Sequence, residues 1–149
     1  MTVTRRPFVS PTLSPIAFFL VALLGLLAQS ASADGYGSNA AAGGFVEVND
    51  IAMYYEVYGE GPPLVLIHGS GQSIADMAAQ IDGFRDQYQV IVGDSRAHGR
   101  SGMSDQQMTY RQMASDWAGL ISELAGEPVR VIGWSDGGNI ALELARAYP

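Results

Sequence analysis

Three short stretches of the chain are apolar at nearly every position, and each is bounded by residues that interrupt regular structure. Leu64-Val65-Leu66-Ile67 follows Gly59-Glu60-Gly61-Pro62-Pro63, Gln89 to Val92 ends at Gly93-Asp94, and Val129, Val131 and Ile132 lead into Gly133. Runs this short and this uniformly apolar predict strands covered on both faces. Upstream, Phe45, Val46 and Val48, then Met53, Tyr54, Tyr55, Val57 and Tyr58, predict two antiparallel strands joined by a turn at Asn49-Asp50. Elsewhere the apolar positions recur at helical spacing. Ile74, Met77, Ala78, Ile81 and Phe84 share one face, with Ser73 and Asp76 placed as a capping box. Met113, Trp117, Leu120, Ile121 and Leu124 share another, with Thr109 and Gln112 at its start and Gly126 and Pro128 at its end. A third helix begins at Asn139 and is apolar on most sides. Three strands followed by alternating helix and strand predict an α/β fold: a mostly parallel sheet with helices on both faces.

Composition adds a second segment to this picture. Apolar residues make up 48% and charged residues 15%, a globular profile with a lipophilic portion. That portion is N-terminal: Arg5 and Arg6 precede the uncharged run Ile16 to Ala28, and Ala31-Ser32-Ala33 precedes Asp34. Charged, apolar and small-x-small regions in this order predict a secretory signal peptide over residues 1–33, cut after Ala33. The run is shorter than the ~20 residues needed to span a bilayer, so no stable membrane anchor is expected after cleavage. Thr4 to Val9 also has the form of a twin-arginine signal, although Arg6 lies far from the apolar run. Either route exports the mature chain, to the periplasm or the exterior. Residues 34–44 are rich in Gly, Ala and Ser without periodicity and are expected to be a flexible leader. The folded part is then 45–149.

A net charge of -7 with no basic run excludes nucleic acid as a partner. There is no cysteine, and two histidines, His68 and His98, make no metal-ligand pattern. The chemistry-bearing stretch is Gly133-Trp134-Ser135-Asp136-Gly137-Gly138, between a strand and a helix. A Ser at the apex of so sharp a turn is held in a strained backbone region with its hydroxyl clear of the sheet. Gly133 and Gly137 fit because neighbours on either side would leave no room for a Cβ. The turn alone is equally well explained by Ser135 as a helix N-cap.

Two further motifs, His68-Gly69-Ser70-Gly71 and Asp94-Ser95-Arg96-Ala97-His98-Gly99-Arg100-Ser101, stand after the two preceding parallel strands, at the edge where open α/β sheets bind ligands. In this order and context the three motifs resemble the α/β-hydrolase superfamily over about Phe45 to Pro149. The resemblance implies that Ser135 is the nucleophile of a serine hydrolase acting on a small-molecule acyl substrate, a carboxylic ester first. It implies an oxyanion hole made by the backbone N–H groups of Asp136 and Ser70, with Gly71 the alternative donor, and implies no cofactor. His68 and His98 match positions that shape loops, and Asp94 and Arg96 read as loop scaffolding joined as an ion pair. Ala97 stands where the family usually has Gly; if φ is positive there, Ala costs on the order of 1 kcal/mol. The Asp136 side chain is explained by its favourable place in the first turn of a helix. Met77, Met103, Met108 and Trp134 are candidates for an apolar pocket and equally for the core.

In this family the acid and the histidine of the triad follow the nucleophile helix. The 116 residues left by a 33-residue signal contain neither, and a complete domain of this type needs ~250. The expectation is therefore the N-terminal part of a longer enzyme, truncated after the nucleophile helix and nearly inactive by itself. The alternative is a naturally short, non-catalytic binding or assembly module.

Overall fold

The computed structural model describes residues 35–125 and 128–149. The signal-peptide run, its cleavage site and Gly126 lie outside the described residues. Among the described residues five strands form, β1 Gly43–Val48, β2 Ile51–Tyr58, β3 Pro63–Ile67, β4 Gln89–Gly93 and β5 Arg130–Gly133. Three α-helices come after β3, β4 and β5 in turn, α1 Ala78–Phe84, α2 Tyr110–Leu124 and α3 Asp136–Ala147.

The strands lie side by side in the order β1-β2-β4-β3-β5. The hairpin β1β2 is antiparallel and joins β4 antiparallel, whereas β4, β3 and β5 run parallel. Their register matters for function. Ile67 on β3 is level with Gly93 on β4 and with Gly133 on β5. Three parallel strands therefore end abreast, and the loops that follow them emerge together at one edge.

Alternation along the strands divides the core in two. Leu64, Leu66, Val90 and Val92 pack with Ile74, Met77 and Ile81 against α1. Val65, Ile67 and Ile91 pack on the other face with Met113, Trp117 and Leu120 of α2 and with Ile140 and Leu144 of α3. β3 and β4 are covered on both faces, which is why they are apolar at every central position.

Local signals account for the helix starts. Thr109 caps α2, its side chain accepting from the Gln112 N–H. The Asp76 carboxylate accepts the Ser73 N–H at 2.9 Å, but the first turn, Ile74–Met77, is 3-10 before α1 begins. Its leading N–H, on Ile74, is taken by Asp94 Oδ1 at 2.8 Å, so a buried carboxylate from the β4 loop serves as a second cap. α3 begins at Asp136, three residues before the predicted start at Asn139. The low helix propensity of Gly137 and Gly138 is overridden by the close packing of this turn on β3.

The expected flexible leader needs correction. Residues 35–42 form successive turns, and residues 43 and 44 already belong to β1. Glu56, fully buried on β2, is the cause: its carboxylate accepts the N–H groups of Gly37 and Asn39, both at 2.8 Å. It also accepts the phenolic hydroxyls of Tyr54 and Tyr58 at 2.8 and 2.7 Å. Burial, and then the Glu56 carboxylate, push the Tyr54 hydroxyl up to about 12, so it stays a donor. The ring of Tyr36 meets that of Tyr58 edge-on at 4.9 Å. A low-complexity stretch is ordered here by one buried charge that needs donors.

Candidate active site

Beyond Gly133 the chain keeps one more bond to β3, the Trp134 N–H donating to the Ile67 carbonyl at 2.9 Å. It then reverses. Ser135 sits at φ 53 and ψ -115, a conformation that side-chain-bearing residues avoid and that costs about 1–3 kcal/mol. The turn is closed by N–H bonds from Gly137 to Trp134 O and from Gly138 to Ser135 O, both 2.9 Å. A Cβ at Gly133 would collide with the Gly137 carbonyl, and one at Gly137 with the carbonyls of Ile67 and His68. Both glycines are thus required by contact with backbone, which cannot move aside.

The loop after β3 leans on this turn. A Cβ built on Gly69 would stand 3.2 Å from Ser135 Cβ and 3.2 Å from Trp134 Cδ1. Gln72 Oε1 holds the loop by accepting the Gly69 N–H at 2.9 Å. Ser70 and Asp136, from different loops, line one small hollow together with His68, Ser95, His98 and Ile140, of about 10 Å3, roughly one water. Among the described residues, neither the Ser70 N–H nor the Asp136 N–H is used in a hydrogen bond within the protein. The two residues expected to supply the backbone donors therefore line the same hollow.

His68 is buried, and both of its nitrogens are engaged. Nδ1–H donates to the Gly69 carbonyl at 2.7 Å, and Nε2 accepts the Ser95 N–H at 2.9 Å. Burial holds the ring below its ordinary pKa and therefore neutral. The Ser95 hydroxyl takes the Trp117 indole N–H at 3.1 Å, tying this loop to α2. His98 donates Nδ1–H to the Arg96 carbonyl at 2.9 Å. Among the described residues, no histidine is hydrogen-bonded to Ser135.

Asp94 and Arg96 are both buried scaffolding, but they are not each other's partner. Asp94 accepts backbone N–H groups from Ile74 and Arg100, each at 2.8 Å, and so joins two loops. Arg96 grips Asp116 of α2 with Nε and Nη2, both at 2.8 Å, and reaches Asp50 at 2.8 Å and the Ser104 hydroxyl at 2.7 Å. These partners, Asp116 first, raise the guanidinium pKa further above its ordinary value. The expected Asp94–Arg96 ion pair does not form: Asp94 is turned to the backbone of the two loops it joins, and Arg96 to the carboxylates of Asp116 and Asp50. Ala97 does adopt φ 61, the left-handed region, at a cost on the order of 1 kcal/mol.

Three participants were not visible as such in the sequence. Gln72 gave no signal. Asp116 did, lying three residues after Met113 and four before Leu120, on the apolar stripe of its helix. Tyr110 donates its hydroxyl to Asp136 Oδ1 at 2.7 Å, a bond that raises the phenol's pKa and gives the Asp136 side chain a partner besides the helix dipole. Of the pocket candidates, Met77 is in the core, while Met103, Met108 and Trp134 are exposed.

An open α/β sheet whose parallel strands end abreast at a strained Ser turn defines a class. The sequence model described as alpha/beta hydrolase fold matches residues 62–149, and the chain belongs to that family. It is 37% identical over 98 residues to a soluble epoxide hydrolase of a Corynebacterium species, covering 66% of this chain and 34% of that protein. It is 32% identical over 104 residues to the pimeloyl-[acyl-carrier protein] methyl ester esterase of Methylococcus capsulatus, covering 66% and 37%. Among solved structures, Est816, described as an N-acyl homoserine lactone degrading enzyme, superposes with a TM-score of 0.68 at 31% identity, over 71% of this chain and 41% of that one. The chain thus spans about two fifths or less of the length of these hydrolases.

Proposed function

We propose that this chain carries the nucleophile of an exported serine hydrolase that cleaves small-molecule carboxylic esters. The observation behind this reading is Ser135, held at φ 53 between two glycines that contact backbone, at the edge where three strands end. Strain of this kind persists where the surrounding structure enforces it, and here its effect is to present one hydroxyl. Ser135 Oγ would attack the ester carbonyl carbon, the N–H groups of Asp136 and Ser70 would hold the oxyanion, and the alcohol would leave with a proton. Water would then release the acid from the acyl-enzyme. Preorganised donors of this sort each contribute about 10²–10³ in rate.

A general base is needed at both steps; His68 has both ring nitrogens engaged elsewhere, and His98, tied through Nδ1 to the Arg96 carbonyl, makes no hydrogen bond to Ser135. The reading assigns the base to a part of the protein that its relatives have outside the matched region, so the 149-residue chain alone would be nearly inactive. The relatives include both an esterase and an epoxide hydrolase. Ser at the apex favours acyl chemistry, since the resemblance places Asp there in epoxide hydrolases.

Fluorophosphonate treatment of the complete, folded protein should label one residue, Ser135, and Ser135→Ala should abolish labelling. A folded protein that takes no label would sink the proposal. Export has its own test: N-terminal sequencing of protein recovered outside the cytoplasm should begin at Asp34. Recovery there of a chain that still begins at Met1 would overturn processing after Ala33.

A further inference from the structure

Gln72 bonds to Gly69 twice. Its side chain accepts the Gly69 N–H at 2.9 Å, and its own N–H donates to the Gly69 carbonyl at 3.3 Å. The two bonds close a turn from Gly69 to Gln72 with Ser70 and Gly71 at its centre, and Gly71 takes the positive φ, 69, that a type II turn asks of its third residue. The Gly69 carbonyl is held again by His68 Nδ1–H at 2.7 Å. Peptide units are planar and trans, so the Ser70 N–H points away from the Gly69 carbonyl that precedes it. Whatever fixes that carbonyl also fixes the direction of this N–H. Gly69 itself supplies little restraint, because glycine has little conformational preference of its own. It is nonetheless the residue that meets the elbow, where a Cβ on it would stand 3.2 Å from Ser135 Cβ and 2.8 Å from Gln72 Oε1. Both peptide planes that flank this glycine are tied to Gln72.

We infer that Gln72 is a positioning residue for the proposed acyl transfer, bonding to both sides of Gly69 so that the Ser70 N–H is aimed at the oxyanion. This role rests on the reading of Ser135 as the nucleophile and Ser70 as a donor. Gln72 acts through the backbone and touches no reacting atom. A donor aimed before charge develops strengthens its bond between ground state and transition state. Loosening the turn therefore slows the chemical step and leaves substrate binding nearly untouched.

The complete protein serves for the test, with p-nitrophenyl acetate as substrate and phenylboronic acid as a probe that forms a tetrahedral adduct on a nucleophilic Ser. Gln72→Met keeps the side-chain length and removes the acceptor, whereas Gln72→Asn keeps the amide one methylene short of Gly69. Each should lower kcat about tenfold with KM within about twofold, a smaller loss than the roughly 10²–10³ that accompanies removal of a whole donor. Phenylboronic acid should weaken by about the same factor as kcat, a parallel that a merely structural role would not produce. Circular dichroism checks folding, and if one variant does not fold the other decides. Unchanged kcat and boronate affinity would overturn the role, as would a raised KM at full kcat, which would make Gln72 a substrate contact. A parent protein that takes neither boronate nor fluorophosphonate overturns the reading of Ser135 instead, so the two failures are told apart.

Discussion

With one ring nitrogen donating to Gly69 O and the other accepting from Ser95, His68 has a single tautomer and no capacity for a second proton. Protonation would break the Ser95 bond and leave a charge buried. Because the folded pKa lies below the ordinary 6.5, the unfolded chain takes up the proton first as pH falls. The stability that neutral His68 provides is therefore complete above about pH 6.5 and declines below it, by at most ~1.4 kcal/mol per pH unit. Denaturant titrations at pH 7.5 and 5.5 should show this loss, and His68→Gln, although less stable overall, should flatten it. A His68→Gln variant as pH-sensitive as the parent would assign the effect to other groups.

Among the elements, α2 is fixed to the sheet edge through a charge as well as through its apolar stripe. Asp116 is 1% exposed and accepts from Arg96, Asn49 and Gln112. Removing one partner of such a pair leaves the other charge buried, at a cost of about 3–5 kcal/mol. Asp116→Ala should lower stability by that amount in equilibrium unfolding and loosen the loop from Ser95 to Ser104, raising its amide exchange. A loss below 1 kcal/mol would mean that Asp50 alone suffices for Arg96. This network also marks where the sequence stops being legible. Strands β3 and β4 could be read because burial on both faces leaves an uninterrupted apolar run, and the elbow because backbone contact demands two glycines at fixed offsets. Partners 20 or 46 residues apart, such as Arg96 with Asp116 or Asp50, leave no periodic trace. Order in the leader is hidden for the same reason: nothing between Gly35 and Ala42 is apolar enough to announce it, and the group that imposes it lies on β2.

For the molecule as a whole, the described sheet is unevenly covered. β5 stands at one edge, and a groove of about 680 Å3 runs beside it, lined in part by Val129, Val131, Ala141, Leu142 and Tyr148. Leu142 is 72% exposed there. An open strand edge next to an apolar groove is a template for association. In sedimentation velocity the 149-residue chain should self-associate with rising concentration, and Leu142→Glu should reduce this while leaving far-UV circular dichroism unchanged. A parent chain that stays monomeric throughout would show the groove to be inert.

The clasp at Glu56 has a practical corollary for anyone who trims the gene. The apparent start of the fold, judged by its first strand, is Gly43, yet the two amides that close on the buried carboxylate belong to Gly37 and Asn39. A clone opened at Phe45 would preserve most of β1 and delete half of the donors to a charge that has no access to solvent. A clone worth expressing therefore keeps Gly37 and Asn39, and the ruler that sets this boundary is a carboxylate on the second strand.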